Sequence, residues 1–185
     1  MLAGELQLPV IKEIVEENPF LDKFYQNMDD WSFQLEMFFL CNRYKQLEET
    51  VNQYIDKGKS VISDYHIYKN LIFGERTLKG TKRDKYRQIY HVLTDDLPKP
   101  DIILYIRADL DTLLARIGKR GRPFEEEIAP AYLQQLIEDY DDAMASLART
   151  EPSTVIITID GNEVDFVEKP DDFTTIAAHL KELMK

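Results

Sequence analysis

One cysteine, Cys41, stands in 185 residues, so no disulfide can form within the chain, and a reducing cytoplasm is the compartment that suits it. Its neighbours Phe38, Phe39 and Leu40 point to a small buried hydrophobe rather than a nucleophile. No apolar run approaches the roughly 18 residues that would span a bilayer; the longest, 37–41, has five. The start shows no basic stretch leading into an apolar segment and cleavage site, so no signal peptide is expected. Positive charge is scarce. The 23 Lys and Arg against 34 Asp and Glu leave a net charge of −11, which disfavours nucleic acid polymers and anionic membranes as main partners. A small anionic ligand stays possible because cations are concentrated where Arg116, Lys119, Arg120 and Arg122 stand close together.

The hydrophobic share of 44% and charged share of 31% are those of an ordinary globular domain. Four β-rich runs, 10–14, 60–64, 101–107 and 154–160, alternate with helical stretches at 30–57, 82–97, 110–119, 129–149 and 171–184. The last two strand runs are almost continuously apolar, the pattern of strands covered on both faces of a parallel sheet. This alternation predicts an α/β layered fold. Repeats and linkers are missing, so residues 1–185 form one domain. Gly58, then Pro98 with Pro100, end the first two helices, while Asp109 and Asp171 are the expected N-caps. Apolar residues Leu35, Met37, Phe38, Phe39, Leu40 and Cys41 cover most of the first helix's circumference. That predicts burial on two sides, one against the sheet and one against a second subunit, hence a homodimer. Residues 1–6 read as the tail of a helix.

Two clusters carry candidate chemistry. Around Gly121, Arg116, Arg120 and Arg122 are followed by Glu125. Guanidinium forks at this spacing suit a loop closing on phosphate oxygens, or a solvated helix end where Arg and Glu pair. Glu13 ends the first strand, where α/β sheets bind ligands, though an acid there can equally be a surface residue. Asn18-Pro19-Phe20-Leu21 follows it.

These segments resemble, in order and spacing, the deoxynucleoside kinase family from residue 13 to the C-terminus. The stretch from Glu13 to Leu21 is similar to that family's Glu-Pro-Val-x-x-Asn-Pro-x-Leu element. Lys23-Phe24-Tyr25 with Trp31-Ser32-Phe33 resembles its substrate-pocket helix, and Arg120-Gly121-Arg122 with Glu125 its lid. Within the family the chain looks most like the bacterial deoxyguanosine kinases. The resemblance implies ATP-dependent phosphorylation of a purine deoxynucleoside at its 5′-hydroxyl, with Mg2+. Glu13 would be the general base, with Asp64 near magnesium or the hydroxyl. Tyr25 and Glu125 would hold the sugar 3′-hydroxyl. Arg116, Arg120 and Arg122 would neutralise the transferring phosphoryl group, and Asp165 and Phe166 would lie near adenine of ATP. The implied fold is a three-layer, P-loop-kinase-like parallel sheet flanked by helices.

Departures from the family pattern sharpen these expectations. Glu36 stands where many relatives have Gln, and a carboxylate offers only acceptors. Guanine presents two adjacent donors on its Watson–Crick edge, whereas adenine presents an acceptor at N1, so Glu36 favours deoxyguanosine over deoxyadenosine. Arg43 can reach guanine O6 and N7; alternatively Glu36 and Arg43 pair with each other. Asn70 replaces an Asp that often pairs with the position of Arg43, which would free Arg43 for the base. Asp64-Tyr65-His66 replaces Asp-Arg-Ser, leaving Tyr65, His66 or Lys69 to supply what that Arg does. Finally, the family's Gly-x-x-Gly-x-Gly-Lys phosphate loop does not occur, and Gly4 and Gly58 stand isolated. In the family order 2-3-1-4-5, that loop follows the central strand, so both are expected to be missing here. The chain then reads as an inactive N-terminally shortened form, or as a non-catalytic binding or regulatory paralogue. A nucleoside monophosphate kinase would also carry an arginine lid, but not the Trp31 helix or the Tyr25–Glu125 pair. His91 and His179 receive no role.

Overall fold

The computed structural model describes all residues except 15–17, 126–127, 167–168 and 185. The middle of the segment after Glu13 and two acids of the lid therefore lie outside the described residues. Four parallel strands form, β1 (Val10–Ile11), β2 (Ile62–Ser63), β3 (Ile102–Arg107) and β4 (Val155–Asp160). Eight α-helices accompany them: α1 (Leu2–Leu6), α2 (Leu21–Gln26), α3 (Met28–Gln53), α4 (Tyr68–Thr77), α5 (Gly80–Thr94), α6 (Leu110–Arg120), α7 (Pro130–Thr150) and α8 (Pro170–Leu183). Single 3-10 turns occupy Ile55–Lys57 and Pro123–Glu125. Among these, no helix is long and apolar enough to cross a membrane.

The described strands make two separate parallel pairs, β1 with β2 and β3 with β4. Val10 opposes Ile62 and Ile11 opposes Ser63, so the first pair is only two residues long. The second runs in register from Ile102 opposite Val155 to Arg107 opposite Asp160. Burial on both faces, expected from the apolar runs, is incomplete: Ile106 is 47% and Val155 45% exposed. Each strand here has only one hydrogen-bonded neighbour, so its other edge lacks the cover that a wider sheet gives.

Helix α3 organises the core. Asn27 caps it, accepting from the Asp30 N–H while its own amide donates to the Asp30 carboxylate at 2.8 Å. One side buries Leu35 against Leu21 and Phe24 of α2. Another buries Leu40 against Ile67, Leu78, Tyr86 and Tyr90, around α4 and α5. Both of these buried sides meet helices of the same chain, rather than the sheet that was expected against one of them. Cys41 is exposed, not buried, because it falls between the two contact stripes. Helix α4 stands where no helix was expected. At the last helix Lys169 is the N-cap and Pro170 takes the first turn, so Asp171 does not cap it. Asp109 does cap α6, accepting from Thr112 N–H at 3.1 Å.

The α4–α5 contact is tight. A Cβ on Gly74 would press into the ring of Tyr86, which is 1% exposed and holds Asn70 through its hydroxyl. Gly74→Ala is expected to lose about 1–3 kcal/mol in urea unfolding, the usual cost of overpacking. An unchanged midpoint would show that Tyr86 yields freely.

Candidate functional site

Because β1 and β2 run in parallel, their C-terminal ends place Glu13 and Asp64 side by side. The Glu13 N–H donates to Asp64 Oδ1 at 2.8 Å. The Glu13 carboxylate is held by two cations. Arg43 donates through Nε at 2.9 Å and through Nη2 to Oε1, and Lys69 Nζ reaches Oε2 at 2.9 Å. Burial alone would raise the pKa of Glu13, but Lys69 and Arg43 together hold it below the ordinary carboxylate value, so it is ionised at neutral pH. Burial in turn lowers Lys69, against the pull of Glu13.

Arg43 is almost fully buried and continues the network. Its Nη1 donates to Asn70 Oδ1 at 2.7 Å, and Asn70 Nδ2 donates to the Tyr86 hydroxyl at 2.9 Å. Its guanidinium also lies over the Phe39 ring at 4.7 Å. Asn70 therefore does not free Arg43; its amide oxygen is as good an acceptor as a carboxylate oxygen for this one bond. Of the three residues considered as replacements for the missing Arg, Lys69 is the one that reaches Glu13. Tyr65 donates its hydroxyl to Gln46, and His66, pushed down to about 4 by burial, accepts from Tyr68 N–H.

Glu36 lies about two turns before Arg43 on α3 and is 1% exposed. Among the described residues nothing pairs it with Arg43; Thr77 Oγ1 at the end of α4 is its hydrogen-bond partner, at 3.1 Å. Burial pushes the carboxyl up to about 7, against the lowering effects of Arg43 and Thr77. Thr77 was not singled out in the sequence, because α4 was not recognised as a helix.

The arginines at the end of α6 meet two of the residues expected to hold the sugar. Arg120 grips Glu125 with both prongs, Nε to Oε2 at 2.9 Å and Nη2 to Oε1 at 2.7 Å, and Arg122 Nη1 stands 3.6 Å from Glu125. Tyr25 is buried beside them. Its hydroxyl is pushed up to about 12 by burial and then by the charge of Glu125, with Arg120 opposing and Glu36 adding. Tyr25 thus lies within electrostatic reach of both Glu125 and Glu36.

Arg116 departs from that group. Its Nη2 donates to the carbonyls of Gly161 at 2.6 Å and Val164 at 3.1 Å. A side chain at Gly161 would collide with the Arg107 carbonyl oxygen, so a glycine lets the β4–α8 loop come this close. Arg116, Lys119, Asn162, Asp165 and Lys169 line a cavity of about 340 Å³; Phe166 is half-buried nearby in sequence. Arg116 thus bonds to the loop before Asp165, whereas Arg120 and Arg122 meet Glu125.

The family model described as deoxynucleoside kinase matches residues 1–185. The chain is 58% identical over 184 residues to the deoxyguanosine kinase of Bacillus subtilis (strain 168), covering 100% of this chain and 89% of that protein. It is 30% identical over 149 residues to the deoxyadenosine/deoxycytidine kinase of the same organism, covering 76% and 67%. A solved deoxyadenosine kinase from M. mycoides with bound dCTP superposes with a TM-score of 0.81 at 24% identity, over 98% of this chain and 89% of that one, which establishes the shared fold. With strand-end acid, arginine lid and whole-length match in agreement, the chain belongs to the deoxynucleoside kinase family.

Proposed function

We propose that this chain forms the nucleoside-binding body of a kinase that phosphorylates the 5′-hydroxyl of deoxyguanosine, with ATP as donor. The observation that carries this reading is the buried Glu36 carboxyl on the same helix as Arg43, in a chain 58% identical to a deoxyguanosine kinase. Ionised Glu36 accepts from the two donors of guanine. Glu13, kept ionised by Lys69 and Arg43, accepts the proton of the 5′-hydroxyl. Tyr25 and Glu125 take the sugar 3′-hydroxyl, which requires Glu125 to exchange its bond with Arg120 for one with the sugar. Arg120 and Arg122 are thereby released towards the negative charge of the phosphoryl group, since such transfer depends on positioning and charge stabilisation.

Among the described residues no three His, Cys, Asp or Glu are placed to hold a metal. Mg2+ uses one or two carboxylates and completes its shell with water and phosphate. Asp64, exposed at the end of β2, fits that partial role; Glu13, with both oxygens held by cations, does not. When bound, the ion would neutralise phosphate charge. The cavity beside Arg116 and Asp165 is large enough for a purine, and this reading gives it to the adenine of ATP.

A glycine-rich phosphate loop is not part of these 185 residues, and the two strand pairs stay unconnected. The reading therefore adds a strand between β2 and β3 that would carry the loop into place. Calorimetric titration of this chain should show deoxyguanosine binding more tightly than deoxyadenosine, with little ATP-dependent phosphorylation. Turnover at an ordinary kinase rate, about 1–100 s⁻¹, would overturn the need for the loop; equal affinity for the two nucleosides would overturn the guanine assignment.

A further inference from the structure

The Thr77 hydroxyl lies within reach of two acceptors. Its Oγ1 is 3.1 Å from Glu36 Oε1 and 2.8 Å from the Phe73 carbonyl oxygen, yet a hydroxyl has one proton to donate and two lone pairs to accept with. When Glu36 is ionised, Thr77 donates to it. When Glu36 is protonated on its other oxygen, Thr77 still donates to Oε1, and the single carboxyl proton is left for a bound base. Both states of a buried carboxyl are thus hydrogen-bonded without any movement of the backbone, which matters because an unsatisfied buried group costs about 1–3 kcal/mol.

The two states present different faces to a base. Ionised Glu36 offers acceptors alone, which suits the paired donors of guanine. Protonated Glu36 offers a donor and an acceptor, as a Gln amide does, which suits adenine N1 and its amino group. We infer that Thr77 is a positioning residue for base selection: by donating to Glu36 Oε1 it leaves the other oxygen, with or without its proton, to the base, and by favouring the ionised form it sets the pH at which the site changes from adenine to guanine preference. This rests on the guanine assignment made under the proposed function.

The groups facing Glu36 agree with a change-over near neutral pH. From its own helix comes Arg43, and from α4 come Lys69 and Thr77, all favouring the ionised form. Tyr25 from α2, Tyr86 from α5, and Tyr132 and Tyr140 from α7 are the other titratable neighbours, each held neutral well above the physiological range. Burial opposes the three favourable groups and leaves the carboxyl close to 7.

The test is the ratio of deoxyguanosine to deoxyadenosine affinity, measured by calorimetry on the 185-residue chain from pH 5.5 to 8.5. In the parent the ratio should rise roughly tenfold or more across this range. Thr77→Val removes the donor to the ionised form and should move the midpoint up by about one pH unit, while Thr77→Ser should leave it in place. A pH-dependent ratio whose midpoint ignores Thr77→Val overturns the role of Thr77. A ratio flat with pH but altered by Glu36→Gln overturns the switch and leaves the guanine assignment standing. A ratio flat with pH and indifferent to Glu36→Gln removes both. Should Thr77→Val not fold, Thr77→Ala replaces it, and the side-chain carboxyl resonance of Glu36 in the parent gives an independent reading. Titration of that resonance in the ordinary range near 4.5 overturns the proposal.

Discussion

Replacing Arg43 by Met is expected to destabilise the fold by about 3–5 kcal/mol, the usual penalty for removing one partner of a buried ion pair. Arg43 is 3% exposed, and its guanidinium donates to both Glu13 and Asn70. Without it, Glu13 Oε1 loses two donors and Asn70 Oδ1 loses its partner, whereas a methionine supplies none. Lys69 still holds Glu13 Oε2, which puts the loss towards the lower end. For a chain of this size the thermal midpoint should fall by on the order of 10 °C. Arg43→Lys should recover only part, because an ammonium cannot fork between two acceptors. In a double-mutant cycle with Glu13→Gln, the paired change should cost less than the sum of the single ones. A loss below about 1 kcal/mol would mean that water reaches the pair.

The same pair fixes the acid limb of stability. Glu13 has its pKa lowered in the folded chain, so its contribution is present above the unfolded value near 4.5 and is lost as pH falls through the folded value. Arg43→Met should flatten that limb. Denaturant midpoints recorded between pH 3 and 6 check both the sign and the window.

The two clusters that the sequence marked, the acid after β1 and the arginines around the end of α6, do fall at the end of a strand and of a helix. They were legible because strand ends and N-caps are local signals: Asp109 and the apolar run of β3 need no tertiary knowledge. What was hidden depends on distant partners. Asn70 looked like a residue that would release Arg43, but its bond is made across 27 positions, and only the packing of α4 on α3 shows it. Thr77 was passed over because α4, whose apolar residues are shared among α3, α5 and α7, was not recognised as a helix. Cys41 misled in the opposite way. Its aromatic neighbours are apolar, yet the helical angle turns it out to solvent between the two buried stripes. Arg116 and Arg120 look equivalent at four-residue spacing. They part company because Arg120 ends the helix and turns back to Glu125, while Arg116 is caught by the carbonyls of the β4–α8 loop.

Exchange of Glu36 for Gln should alter both affinity and stability, and the two effects should separate by pH. At pH 8, where Glu36 is largely ionised, the amide substitutes a donor for an acceptor opposite the guanine edge. One mispaired buried contact costs roughly 1–3 kcal/mol, so deoxyguanosine should bind about 10–100-fold more weakly while deoxyadenosine gains. At pH 5.5, where the parent carboxyl is protonated, parent and variant should bind the two nucleosides alike. Stability moves independently of any ligand. A carboxyl whose folded pKa is raised from 4.5 to about 7 contributes stability that is present below the unfolded value and lost as pH rises towards the folded one. Over that window the parent should therefore lose about 3 kcal/mol. Gln carries no charge, so this downward slope should vanish in the variant, leaving the Gln chain as stable as the parent at pH 5 or somewhat less so, and more stable at pH 8. A gain in stability from removing a ligand-binding group is what a buried, half-ionised acid produces, since the fold carries its desolvation for the sake of the base. If urea midpoints of parent and variant run parallel from pH 4.5 to 8, Glu36 is not the titrating group, and its part in choosing the base falls with it.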